Sequence, residues 1–128
     1  MIRGLIFVTL TILAGCGEMS SSFDSRKEAE LIIRKGWLPP VMPESATEIW
    51  ESHNLDLNIG RGGFQFGIED SENFRAALWP NSKSSKCTIP WSEMEREKRE
   101  WFRYSDFHLA VDWRNRDVRF WMCYRDGV

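Results

Sequence analysis

A chain of 128 residues with 17 basic and 19 acidic side chains and a formal net charge of −2 has no electrostatic pull toward nucleic acid or an anionic lipid surface. Its length suits one domain, and a hydrophobic content of 42% is enough for a modest core.

Met1-Ile2-Arg3-Gly4 sets one positive charge ahead of the uncharged run Leu5-Ile6-Phe7-Val8-Thr9-Leu10-Thr11-Ile12-Leu13, the order of an export signal. The uncharged stretch from Gly4 to Gly17 is shorter than the roughly 18 residues a spanning helix needs, which argues against a transmembrane anchor. Leu13-Ala14-Gly15-Cys16 resembles the lipobox of bacterial lipoproteins. That resemblance implies a diacylglyceryl group on the Cys16 sulfur, fatty acyl chains such as palmitate, and cleavage just before Cys16. The competing reading, an uncleaved anchor with an incidental Cys, fits length, flanks and motif less well. Acyl chains hold a membrane at about 0.8 kcal/mol per buried CH₂, so the expected location is the cell envelope, lipid-anchored to the bilayer through Cys16. Gly17 stands where an Asp usually retains such proteins in the inner membrane, which implies the outer membrane, facing the periplasm, if the source is Gram-negative.

This divides the chain into a signal peptide 1–15, a polar tether 16–23 and a single domain 24–128. Removing the signal leaves 113 residues, with Cys87 and Cys123 as the remaining thiols. In an oxidising periplasm two thiols are expected to pair. A Cys87–Cys123 disulfide would close a loop of about 37 residues and stabilise by roughly 3–4 kcal/mol in the chain-entropy model. The alternatives are two buried free thiols or a metal pair, though no further ligands stand at a zinc spacing.

Gly17 to Ser22 reads as the polar tether. A helix is expected over Asp24–Lys35. Ser25-Arg26-Lys27-Glu28 fits a capping box, Ala29, Ile32 and Ile33 form an apolar stripe, and Gly36 stands at C′, letting Trp37 fold back on Ile32. Pro39 and Pro40 end it. Residues 46–59 read as a strand with Ile49, His53, Leu55 and Leu57 in phase. Gly62-Gly63 should break that strand before Phe64, Phe66 and Ile68 resume the alternation as the second arm of a hairpin. Asp70 is expected to cap a brief helix through Phe74, Ala77 and Leu78 that Pro80 ends. After a Ser- and Lys-rich loop at 81–86, Ser92 and Glu95 suggest a second capping box, opening a helix with Met94, Trp101 and Phe102 on one face.

The last element is a hairpin. Phe107, Leu109, Val111 and Trp113 alternate with His108, Ala110 and Asp112, and Val118, Phe120, Met122 and Tyr124 alternate with Arg119, Trp121 and Cys123. The two apolar sets share a face only if the turn has an even number of residues. A two-residue turn at Asn115-Arg116 satisfies this and sets Asp112 opposite Arg119. The predicted fold class is α+β: a small antiparallel sheet of two hairpins with two or three helices packed on one side.

The run from Gly36 to Asn58 contains Trp37-Leu38-Pro39, then Pro43-Glu44-Ser45-Ala46, then His53-Asn54-Leu55-Asp56-Leu57-Asn58. It resembles the signature of bacterial proteins with a YbbD-type head domain, over about 23 residues and with Leu57 where small polar residues are usual. The resemblance implies no activity and no catalytic residues.

His53, Asp56 and Asn58 form the densest polar cluster, but strand alternation puts His53 out of phase with Asp56. Asn54, Asp56 and Asn58 also resemble the start of a calcium loop. Ile59 occupies the required glycine position and Gln65 the place of the bidentate Glu, so a turn with Asx side chains on local amides is favoured. There is no G-x-S-x-G, H-E-x-x-H or phosphate loop. No cofactor and no metal site are expected. Among the seven tryptophans, Trp37, Trp101 and Trp113 suit a core, whereas Trp50, Trp79, Trp91 and Trp121 could in part form an exposed patch. The leading expectation is a membrane-anchored binding or interaction module that holds another envelope protein through Trp50, Arg119 and Trp121. The rivals are an envelope or cell-wall-active enzyme centred on His53, Asp56 and Asn58, and a structural lipoprotein without a ligand.

Overall fold

The computed structural model describes residues 17–80 and 89–123. Seven strands form one sheet: β1 (Glu18–Phe23), β2 (Thr47–Asn54), β3 (Ile59–Gln65), β4 (Trp79–Pro80), β5 (Glu100–Tyr104), β6 (Phe107–Asp112) and β7 (Asp117–Met122). The order is β1-β2-β3-β7-β6-β5-β4, and every neighbouring pair is antiparallel. Helices α1 (Glu30–Arg34), α2 (Ser71–Ala77) and α3 (Trp91–Arg96) are short.

The expected α+β class is therefore corrected to a mostly β fold, because the two hairpins are only part of one continuous sheet. Nor do the helices share a side. Phe74 of α2 joins the principal core with Phe64, Leu109, Val111, Val118 and Phe120. Met94 of α3 packs with Ile89, Ala110 and Trp121 on the opposite face. The principal core lies over β3, β6 and β7, where Val118, Phe120 and Leu109 are fully enclosed, each worth about 1.5–3 kcal/mol of burial.

Four stretches depart most from the sequence-based expectation. Glu18–Phe23, expected as part of the tether, is edge strand β1. Its serines bond across to β2, Ser20 Oγ donating to Ser52 Oγ at 3.1 Å and Ser21 Oγ donating to Glu51. Gly62-Gly63 does not interrupt a strand but lies inside β3, paired on both sides. The glycines leave space for neighbours: a Cβ on Gly62 would collide with the Trp50 carbonyl and the Phe120 ring.

The helix expected from the Ser92–Glu95 capping box stops after Arg96. Lys98 adopts φ +57°, and the Lys98 and Arg99 amides donate back to the Glu95 and Met94 carbonyls, a Schellman close. Chain past that point alternates instead, with Trp101 toward α3 and Phe102 in the principal core, so Trp101 and Phe102 do not share a helix face.

The fourth departure is the last hairpin. Its turn spans four residues, 113–116, rather than two, so Asp112 faces Asp117 and Arg119 faces Ala110. Four is still even, so the common core face survives while the Asp112–Arg119 pair does not form. Asp112 caps the turn, accepting the Asn115 amide at 3.1 Å and its Nδ2 at 2.8 Å. Those bonds, the Asn115 amide first, hold the Asp112 carboxyl below its ordinary value. Asp117 is neutralised by Arg99, which also donates to the Ala110 and Asp117 carbonyls, so like charges face each other at little cost.

The capping bonds before α1 and its close at Gly36 match expectation. The Glu28 amide donates to Ser25 Oγ, Glu28 reaches back to the Asp24 amide, and Gly36 takes φ +85°. Gly36 and Trp37 amides close on Ile33 and Ile32. The helix itself covers only Glu30–Arg34, since residues 26–29 are turns. Asp70 precedes α2 but does not cap it, and accepts the Ser45 amide instead.

Candidate functional site

Three residues singled out from the sequence come together. A bulge between Thr47 and Trp50, with Glu48 at φ +50°, turns Ile49 into the principal core and Trp50 to the α3 face. Trp50, Gly63 and Arg119 then form one cross-strand row. Gly63 makes the row possible, since a Cβ there would lie 2.8 Å from Trp50 Nε1. The Arg119 guanidinium sits 5.7 Å from the Trp50 ring and 5.9 Å from the Trp121 ring, within cation–π range of both.

The aromatic row continues through Trp101, 5.7 Å from Trp121, to Trp91, 4.2 Å from Trp101. Trp121 is only 6% exposed and serves as floor, while Trp50 and Arg119 are half-buried at the surface. The buried Arg119 Nε has no hydrogen-bond partner. A guanidinium held between two rings with donor capacity left over suits a carboxylate, carbonyl or hydroxyl flanked by a flat apolar group.

The enzyme alternative grouped His53, Asp56 and Asn58, and the structure does not gather them. His53 is buried, and its Nδ1 lies 2.7 Å from Glu51 Oε2. Asp56 and Asn58 are exposed in the turn after β2, where Asn54 Oδ1 accepts the Leu57 amide at 3.1 Å, a local Asx turn. Among the described residues no group of three or more His, Cys, Asp or Glu could hold a metal. Sequence reasoning missed Glu51, which is 2% exposed, because a charged residue in a strand reads as solvent-facing. Strict alternation between Ile49 and His53 would have placed it inward.

Trp37, whose amide closes on the Ile32 carbonyl, stacks its ring on His53, ring centroids 4.0 Å apart and planes within 10°. His53 belongs to one end of the sheet, where Met19, His53, Gly60, Met122, Phe107 and Tyr104 form a row across it. A groove of about 450 Å³ opens at that end, lined by Gly36, Pro40, Trp79, Tyr104, Phe107 and Met122 among others.

Half-buried Cys123 packs against the Trp121 cluster. Cys87, its expected disulfide partner, and Cys16, the expected lipidation site, lie outside the described residues. His108, a register partner of both Arg103 and Trp121, is held below its ordinary value, by burial first and the Arg103 charge second.

Residues 17–65 match the family model of the YbbD head domain. The matched span covers β1 to the end of β3, and the structure explains its signature. Trp37 in the first block stacks on His53 in the second, and Leu38, Pro39, Met42, Pro43 and Ala46 between them are buried over the core. Ser45 ties the block to the end of β3, its Oγ accepting the Gly67 amide at 2.9 Å. No curated protein and no solved structure matches the chain.

Proposed function

We propose that the chain is a lipid-anchored binding module of the cell envelope, attached through Cys16, which holds another envelope protein on the sheet face carrying Trp50 and Arg119. The observation that carries this reading is the Trp50–Arg119–Trp121 stack. Two aromatic rings and a guanidinium converge on the less covered half of a sheet whose other face is sealed by α1, α2 and the 36–46 segment. Aromatic and Arg side chains are the residues that most often dominate interface energetics. The lipobox supplies the address, and a Cys87–Cys123 bridge would staple β7 to the segment before α3.

A photoreactive amino acid in place of Trp50, in the full chain expressed in its own cells, tests the contact. The reading expects one discrete protein adduct that disappears when Arg119→Ala is added while the thermal midpoint of that variant stays near the parent. No adduct from position 50, or an adduct indifferent to Arg119, would sink the assignment.

A further inference from the structure

Apart from Leu31 on α1 and Ile68 after β3, the large apolar side chains left in solvent among the described residues gather at one place. Met19, Leu55, Leu57, Ile59 and Trp79 are each at least 42% exposed. Leu55 and Leu57 lie in the β2–β3 turn, Ile59 begins β3, and Met19 sits opposite His53 on β1. Trp79 lines the groove beside the β5–β6 turn. All five are at the end of the sheet marked by the Met19-to-Tyr104 row. The described chain also starts at this end: Gly17 abuts the same turn, and a Cβ on it would lie 2.9 Å from Asp56 Oδ2.

We propose that this end of the sheet rests in the lipid interface, with the β2–β3 turn inserted among the headgroups beside the anchor. The proposal rests on the lipid attachment at Cys16 given above. One residue separates that sulfur-bearing position from the turn, and a single residue spans at most about 3.5 Å. With β1 paired to β2 from Glu18 onward, no slack remains for the domain to stand off the bilayer. The turn lies at headgroup depth whatever its composition, and it presents exposed Leu55 and Leu57 among the polar Asn54, Asp56 and Asn58. Burial of about 5–10 Å into the interface accommodates Leu55, Leu57 and Ile59 while Asp56 keeps to the water side. Docking at this end leaves the Trp50–Arg119 face standing upright from the membrane, open to a partner alongside.

The test uses the full chain, lipidated in cells, purified in detergent and reconstituted into vesicles of phosphatidylethanolamine and phosphatidylglycerol. A diazirine amino acid replaces Leu57 in one sample and Ile68 in another. Ile68 is 73% exposed and lies beyond the other end of β3. The proposal expects lipid adducts several-fold more abundant at 57 than at 68. Equal or negligible lipid adducts, in protein whose intact mass carries the acyl group, would overturn the proposal and leave the anchor standing. Absence of the acyl mass on Cys16 would overturn both together.

Discussion

Gly62→Ala should be the most damaging single-methyl change in the sheet. The added Cβ would stand on the Trp50 carbonyl of the neighbouring strand and 2.5 Å from Phe120 Cζ, where ordinary contact begins near 3.4 Å. The ring must therefore retreat by about 0.9 Å, yet Phe120 is fully buried and braced by Phe107 at 5.8 Å and Phe64 at 6.4 Å. The Trp50 carbonyl cannot move without parting β2 from β3. Overpacking a tight core costs about 1–3 kcal/mol, and a rigid backbone atom among the obstacles puts this case near 3 kcal/mol. For a domain of roughly 110 residues with an unfolding entropy of ~2.1 cal/mol/K per residue, that lowers the midpoint by about 13 °C. Gly36→Ala is the comparison, with nothing within 4 Å of the new Cβ but φ at +85°. It should lose about 1 kcal/mol from backbone strain, or ~4 °C. Circular dichroism melts of both variants measure the difference. A Gly62→Ala midpoint within a few degrees of the parent, or above that of Gly36→Ala, would refute the packing argument.

Trp37→Ala removes the ring stacked on His53 and should cost about 2 kcal/mol, less than the ~3–5 kcal/mol for a fully buried Trp because Trp37 is only half-buried; denaturant melts monitor it. Because burial holds His108 below 6.5 in the folded state, the unfolded chain binds the proton first. Stability should therefore fall as pH drops through 6.5 toward the folded value, and His108→Gln should flatten that slope in melts taken across the window. Asp112→Ala frees the Asn115 amide and should lose about 1 kcal/mol at neutral pH, with a smaller loss in acid where the carboxyl is protonated in both states.

What the sequence revealed depended on whether local chemistry agreed with tertiary demand. The α1 close at Gly36 and the shared face of the last hairpin were legible, because a left-handed glycine and a period-two pattern need no distant partner. Strand β1 was not legible: Glu18-Met19-Ser20-Ser21-Ser22 has the composition of a linker, and only pairing to β2 makes it a strand. Gly62-Gly63 misled for a similar reason, since aromatic rings from Trp50 and Phe120 fill the space that their missing side chains leave. The capping pattern at Ser92 and Glu95 suggested a long helix, but Lys98 ended it and the following aromatics served both faces of the sheet. Of the candidate site, Trp50, Arg119 and Trp121 were identified as one group, whereas the burial of Trp121 beneath α3 required the fold.

Intact-mass spectrometry of the protein extracted from the membrane fraction decides whether Cys16 holds this sheet to a membrane. The expected result is a chain of residues 16–128 carrying a diacylglyceryl adduct, with a Cys16→Ser form that loses the adduct and leaves the membrane. A mass corresponding to the whole 128-residue chain, or an unmodified Cys16 in soluble protein, would contradict it.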